Sequence, residues 1–436
     1  MRIAQIAPLY EAVPPKLNGG TERVVHALVE ELVRRGHEVT LFATADSRTS
    51  ARLVPMADGG LRLLGTKDPW ALHVAMLEEV YAQADQFDVI HSHVDYLTFP
   101  FARQSSTPTI TTLHGRLDMP ETRRVLARFP EQRLVSISET QRLPLADLPL
   151  RWQATVYNGI RLEHFPFRAE PDDPPYLVFL GRISPEKGPV QAIEIAKRSG
   201  IPLKIAAKID PADREWAEAN FLPLLGTPGI EYLGEVNEQQ KAELLGGALA
   251  LLFPINWPEP FGLVMIESMA CGTPVVAFPG GSVEEIVVDG VTGLICHSHT
   301  IDEMVAALER VEQLDRAACR RHVERYFSSR VMAERYEAVY RQALAESLAE
   351  RLGPAIASLD GRLTTRDLIG HDGRHLLLTA RVLRNGQTQQ TPDEKGQASL
   401  DWYDDGRIPE NGHATAAPGV TTLSEQSIDR DRPAAD

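Results

Sequence analysis

Three cysteines in 436 residues, Cys271, Cys296 and Cys319, are too few and too widely spaced for a disulfide framework or a thiolate metal site. They fit reduced thiols in a cytoplasm. Long apolar runs are also missing: nothing approaches the ~20 residues that cross a bilayer, and the run at Met1 to Pro8 is too short for a secretory leader. These absences predict a cytoplasmic protein with no transmembrane segment, peripheral to a membrane only if its substrate is a lipid. Basic charge is in deficit as well. Lys and Arg total 45 against 60 Asp and Glu, and the net charge of −15 argues against nucleic acid, a polyanion, as partner. What remains is ordinary for a globular chain, 43% hydrophobic and 24% charged, and long enough for two or three domains with cores of their own.

The chain alternates short apolar runs with helical patterns. Ile3 to Pro8 reads as a buried strand, and a loop ending in Gly19-Gly20 leads to a helix whose apolar face is Val24, Val25, Leu28, Leu32 and Val33. Glu38 to Ala43 is the next strand. Residues 47–70 read as loop, and a helix is expected near 71–84. Strand ends follow at Asp88 to His93, Thr109 to Leu113, Leu134 to Ser138 and Thr155 to Gly159. Strands that end in polar residues and are each followed by a helix indicate a parallel sheet, with ligands beyond the strands' carboxyl ends. That rule singles out His93, Asp95, His114 and Ser138. The His91-x-His93 pair has no evident third ligand, so no metal is expected.

Phe165 to Pro175, proline-rich and polar, marks a boundary between domains 1–165 and 166–330. The second half opens like the first. Strand Tyr176 to Leu180 runs into Gly181-Arg182-Ile183-Ser184-Pro185-Glu186-Lys187-Gly188 and a helix from Pro189, which suits a first helical position. Arg182 and Lys187 therefore stand at a strand's carboxyl end before a helix start. There an arginine can grip a phosphate with two parallel bonds and a lysine adds a compact charge. Helices at 301–314 and 331–352 close the pattern. From 353 to 436 the chain is poor in apolar residues apart from a candidate strand at Leu376 to Leu383, and a largely disordered tail is expected.

The densest signal is Trp257 to Val276. Pro260 forces Glu259 into extended backbone. A helix then begins near Gly262, with Leu263, Val264, Ile266, Met269 and Ala270 as its apolar positions and Gly272-Thr273-Pro274 as its stop. Backbone amides of Phe261 to Val264 would favour an anion such as phosphate. Glu259 and Glu267, flanking that anion, can accept hydrogen bonds from hydroxyls. A phosphate between hydroxyl-rich groups describes a nucleotide sugar. Taken alone, the two glutamates read equally as solvated surface groups; the Pro-Glu-Pro-Phe-Gly context favours function.

Two glutamates separated by seven residues, with Pro-Phe-Gly after the first and Ala-Cys-Gly-Thr-Pro-Val after the second, resemble family 4 (group 1) of the glycosyltransferases over roughly residues 1–345. The resemblance implies the GT-B fold: two Rossmann-like, doubly wound parallel-sheet domains facing across a cleft, with the final helix crossing back onto the first. It implies a retaining hexosyltransferase that needs no cofactor or metal and takes a nucleotide-diphosphate sugar as co-substrate. The acceptor, a sugar, small molecule or lipid-linked group, would sit on the first domain, and the donor on the second.

By the same resemblance, the Gly19-Gly20 loop would sit beside the donor phosphates, and Arg182 and Lys187 would bind the diphosphate. Val236 would touch the base through its backbone, and Glu267 the ribose. Glu259 and His114 would hold the sugar. Phe261, Gly262, Leu263 and Val264 would complete the donor site, with His93, Asp95 and Ser138 on the acceptor side. One departure concerns Ile205 to Asp210, where the family often has a glycine-rich turn near the base. A nucleotide-sugar 2-epimerase, a glycosidase and a non-catalytic nucleotide-sugar-binding protein are the competing classes.

Overall fold

The computed structural model describes residues 1–17 and 19–358. Among these residues thirteen strands form two sheets, both parallel throughout. The first holds β1 (Arg2–Ile6), β2 (Glu38–Thr44), β3 (Arg52–Ala57), β4 (Val89–Ser92), β5 (Thr109–Thr112), β6 (Arg133–Ser136) and β7 (Trp152–Thr155), in the order β3-β2-β1-β4-β5-β6-β7. The second holds β8 (Leu177–Arg182), β9 (Leu203–Lys208), β10 (Ile230–Gly234), β11 (Ala250–Phe253), β12 (Val275–Ala277) and β13 (Gly293–Ile295), in the order β10-β9-β8-β11-β12-β13. Central strands such as β1 and β11 are apolar almost without alternation, because helices cover both faces of each sheet. Strand order reverses between β1 and β4 and between β8 and β11, which makes each half a doubly wound, Rossmann-like domain.

β3 corrects the reading of residues 47–70 as loop. It pairs with β2 at the sheet edge, and the register shifts beside Pro55. An edge strand tolerates proline because no neighbour needs its missing N–H, so the residue that argues against a strand sits where it does least harm. Two boundaries also move: the strand expected at Thr155 to Gly159 is Trp152–Thr155, and the helix expected near 71–84 is Pro69–Ala82.

The chain passes between the two halves twice, side by side. Ile160 N–H donates to Phe327 O at 2.9 Å, and Ser329 N–H to Ile160 O at 2.8 Å. Gly159 is required there, since a Cβ would lie 2.5 Å from Ser328 O. After the second passage the helix Ser329–Ser358, longer than the 331–352 expected, lies along the helix Gly20–Arg34 of the first domain. Beyond it, the expected tail and its candidate strand Leu376 to Leu383 lie outside the described residues. Among the described residues no helix is long and apolar enough to cross a membrane.

One buried carboxylate fastens this last helix. Glu337 accepts hydrogen bonds from Arg35 Nε at 2.7 Å, His37 Nε2 at 2.9 Å and Arg341 Nη2 at 2.9 Å. The hydrogen bond from Arg35 leads in holding its pKa down at about 2, against the opposing effect of burial. A depressed carboxylate pKa contributes stability that is complete above its unfolded value near 4.5 and is lost as pH falls toward 2. Glu337→Ala, which strands Arg35 and His37, should cost ~3 kcal/mol in chemical denaturation at neutral pH. Glu337→Gln should flatten the decline in stability between pH 5 and pH 3; an unchanged decline would assign the acid sensitivity elsewhere.

Candidate functional site

The carboxyl ends of both sheets open onto one cavity of about 650 Å³. The first domain contributes Gly19, Gly20 and His114. The second contributes Arg182, Lys187, Val236, Glu259, Phe261, Gly262, Leu263, Val264 and Glu267. Every residue singled out for catalysis or donor binding therefore lines the same space. His93 and Asp95 line an adjoining cavity of about 390 Å³ that shares Gly19, Gly20, Thr21, Arg62, His114 and Gly115 with the first. Ser138 lines neither. It lies buried between the domains, where its Oγ donates to Pro260 O at 2.7 Å and accepts from Gln141 N–H at 3.1 Å.

The segment from Trp257 has its shape from Gly262, which caps the helix Leu263–Ala270 at φ 75° and has no side chain to bond the first-turn amides. A Cβ there would meet Met265 Cε at 2.7 Å. Met265, Ile266, Met269 and Ala270 anchor the helix in the core. Leu263 and Val264, grouped with them in the sequence, are half-buried and line the cavity. The helix start therefore presents free N–H groups and a positive dipole end at the cavity wall.

Charges of both signs surround that start, mostly in pairs. Glu259 forms an ion pair with Lys187 and accepts from Trp257 Nε1 at 3.1 Å, and the Lys187 ammonium lies 4.6 Å from the centre of the Trp257 indole. Glu267 is buried in an ion pair with Lys241. Burial lowers the pKa of Lys241, and Glu267 works in the other direction. Arg182, the most exposed of these cations, is ion-paired with Glu186 and stands 3.2 Å from Asp213 and 3.8 Å from Asp210.

Lys241, Arg23, Arg62 and Arg116 also line the cavity, and sequence reasoning missed all four; it is lined too by Lys208 and Asp210. For Lys241 a signal existed. It lies on the helix Glu238–Gly247, four residues before buried Leu245 and beside buried Ala242, so a charged residue falls on an apolar face. The last two end β9 and follow it, so the segment departing from the family pattern does form part of the cavity wall.

His114 is the end of a buried hydrogen-bond chain. His93 Nε2 meets Gln5 Oε1 at 2.9 Å, and His93 Nδ1 meets His114 Nε2 at 2.8 Å. With the Gln5 amide in this orientation, His93 carries its proton on Nε2 and His114 on Nε2, which leaves His114 Nδ1 as a bare acceptor. The chain continues from Gln5 Nε2 to the Tyr340 hydroxyl at 3.0 Å, on to His91 Nδ1 at 2.7 Å, and from His91 Nε2 to Thr112 at 2.8 Å. Burial lowers all three histidines, His114 to about 4, so the rings are neutral at pH 7. Both nitrogens of His91 and of His93 are engaged, which removes the His-x-His pair as metal ligands.

Polar contacts hold the two domains around the cavity. Arg23 Nη1 donates to Glu238 at 2.5 Å. Burial raises the Glu238 pKa, but His164 and Arg23 outweigh it and bring it down to about 2. Glu285 accepts from the N–H groups of Glu139 at 2.7 Å and Thr140 at 2.8 Å, and from the Tyr157 hydroxyl at 3.1 Å.

Two doubly wound domains with a cation-lined cleft between the carboxyl ends of their sheets define the GT-B class of glycosyltransferase. Family models agree: Glycosyltransferase Family 4 matches residues 18–164, and Glycosyl transferases group 1 matches residues 161–326. The chain belongs to this family of group 1 glycosyltransferases. It is 27% identical to the glycogen synthase of Mycobacterium tuberculosis, over 74% of this chain and 88% of that protein. It is 25% identical to the D-inositol 3-phosphate glycosyltransferase of Mycolicibacterium smegmatis, over 80% and 92%. Sucrose-phosphate synthase from Thermosynechococcus elongatus has the same fold, with a TM-score of 0.65 at 20% identity over 79% of this chain and all of that one.

The Lys241–Glu267 pair gives a direct test of the site's construction. Lys241→Met would leave the Glu267 carboxylate buried without its partner, which costs ~3–5 kcal/mol and should lower the denaturation midpoint. Adding Glu267→Gln should restore part of the loss. A single variant as stable as the parent would mean that water, not Lys241, satisfies Glu267.

Proposed function

We propose that the chain is a retaining hexosyltransferase, which moves a sugar from a nucleoside diphosphate to an acceptor hydroxyl and uses side-chain cations in place of a metal ion. One observation carries this: an uncapped helix start at Gly262 stands between two glutamates, each held by a lysine, at the carboxyl ends of β8 and β11. The second domain would take the donor and the first the acceptor.

Arg182, Lys187 and the Gly262 amides would receive the diphosphate. The carboxylates of Glu186, Asp210 and Asp213 around Arg182 hold the guanidinium where phosphate oxygens would replace them as partners. As the glycosidic bond breaks, negative charge grows on the leaving diphosphate, and donors already aimed at it stabilise the transition state without reorganising. Glu267 would accept from ribose hydroxyls. Glu259 would accept from the sugar, as would the bare Nδ1 of His114 across the cleft. Retention would follow from attack on the face the diphosphate leaves, with a donor phosphate oxygen taking the acceptor's proton. The contacts through Arg23, Ser138 and Glu285 support a closed cleft that keeps water from the donor.

The donor base is open to a direct screen, since the names of the relatives point to unlike acceptors, glycogen and D-inositol 3-phosphate. A thermal-shift panel of UDP, GDP, ADP and dTDP in EDTA should single out one nucleotide, with ~2.7 kcal/mol of stabilisation at a hundred times Kd. With the matching sugar donor, Arg182→Ala and Lys187→Ala should each lower kcat ~10²-fold or more. NMR of the product should show the donor's anomeric configuration kept. Inverted product would refute the retaining mechanism, and near-normal rates in both variants would refute the diphosphate assignment.

A further inference from the structure

The adjoining cavity differs in electrostatics from the main cleft. Arg23, Arg116, Arg182, Lys187, Lys208 and Lys241 line the main cleft, and Arg62 lines both cavities. Among the described residues lining the second cavity, Arg62 is the one arginine or lysine. Its Nη1 donates to Glu11 at 2.9 Å, and the guanidinium lies over the Tyr10 ring at 5.9 Å. The histidines add no cation. His73 accepts from Leu9 N–H at 3.0 Å and pairs with Pro69 O at 2.7 Å; it and the two at the His114 end have pKa values lowered by burial.

Facing this space are two carboxylates, Glu22 and Asp95, and an aromatic wall. Burial pushes Glu22 up to about 7 and Asp95 up to about 6, because it disfavours the ionised form of each. Asp95 is also a non-glycine residue at φ 49°, a costly backbone conformation that persists where the surroundings demand it. Trp70 is 52% exposed, and Tyr10 meets it edge to face at 6.4 Å and 89°. An indole propped in this way beside hydrogen-bond acceptors is suited to the apolar face of a sugar ring whose hydroxyls reach the carboxylates.

We propose that the acceptor bound here is an uncharged, hydroxyl-rich ring, a saccharide or cyclic polyol, and that a phosphate ester is rejected. The inference rests on the transferase reading above. A phosphate brought beside Glu22 and Asp95 would meet carboxyl groups and one cation, Arg62, against seven in the main cleft, whereas a neutral ring would find partners for its hydroxyls and a stacking surface.

The test measures nucleotide release from the donor with and without glucose, maltose, myo-inositol, glucose 6-phosphate or inositol 3-phosphate. At least one neutral compound should raise release about tenfold over donor hydrolysis, with no rise from its phosphate ester. Trp70→Ala should raise the KM for that compound about tenfold, the loss of one stacking contact, and Trp70→Phe should recover most of it. Equal or better stimulation by a phosphate ester overturns the proposal, as does an unchanged KM in Trp70→Ala. Donor hydrolysis without stimulation by any of the five also overturns it. No nucleotide release under any condition, from a donor that binds, would instead bring down the transferase reading itself.

Discussion

Polar side chains buried together stand or fall as a set, because each one left without a partner carries the full cost of its lost hydration. From Tyr336 through Thr112, His91, Tyr340, Gln5 and His93 to His114, hydrogen bonds run without a gap from the last helix, beneath the first sheet, to the wall of the cleft. The chain couples three things that are separate in sequence: the return of the last helix to the first domain, the packing between β1 and β4, and the protonated nitrogen of the His114 ring. A fold that lost the last helix would lose the partner of Gln5, and with it the reason for His114 to offer a bare nitrogen. The tautomer of a histidine in the cleft wall thus depends on a helix that does not line the cleft.

The second organising constraint is charge. With a net −15 the chain cannot attract a diphosphate through its overall field; it has to gather cations locally. Among the described residues seven arginines and lysines line the main cleft, and pairing with carboxylates lets Lys187 and Lys241 sit there partly or fully out of water. The same pairs fix the rotamers of Glu259 and Glu267. On the proposed reading, the cations that would receive phosphate therefore also orient the carboxylates that would accept from hydroxyls.

Those features that are local in sequence were legible. Gly181 to Gly188 and Trp257 to Val276 each carry their meaning within one turn or one helix start, so the residue types and the proline and glycine positions sufficed to place Arg182, Lys187, Glu259 and Glu267 in one cavity. Distant pairings were not. Gln5 and Tyr340 are 335 positions apart, and nothing in either segment announces the other. Ser138 shows the limit of a correct rule: it does follow a strand's carboxyl end, but that end faces the interdomain contact at Pro260 rather than the open cleft. β3 was missed because a half-exposed edge strand containing proline has neither the apolar run nor the alternation that marks a strand.

The competing readings of the fold differ in what they leave unexplained. A glycosidase needs one carboxylic acid free to hand its proton to the leaving oxygen; here Glu259 and Glu267 are both engaged by ammonium groups, and Arg182 would have no task. An epimerase working on the nucleotide sugar alone would make use of the main cleft and have no need of a second cavity beside His114. That cavity shares the Gly19-Gly20 loop with the main one and has Arg62 as its one arginine or lysine among the described residues, which fits the proposal that a substrate unlike a nucleotide sits beside the donor. Two adjoining compartments, one lined by seven arginines and lysines and the other by one, with the neutral His114 between them, suit a transfer between two different substrates better than a reaction of one.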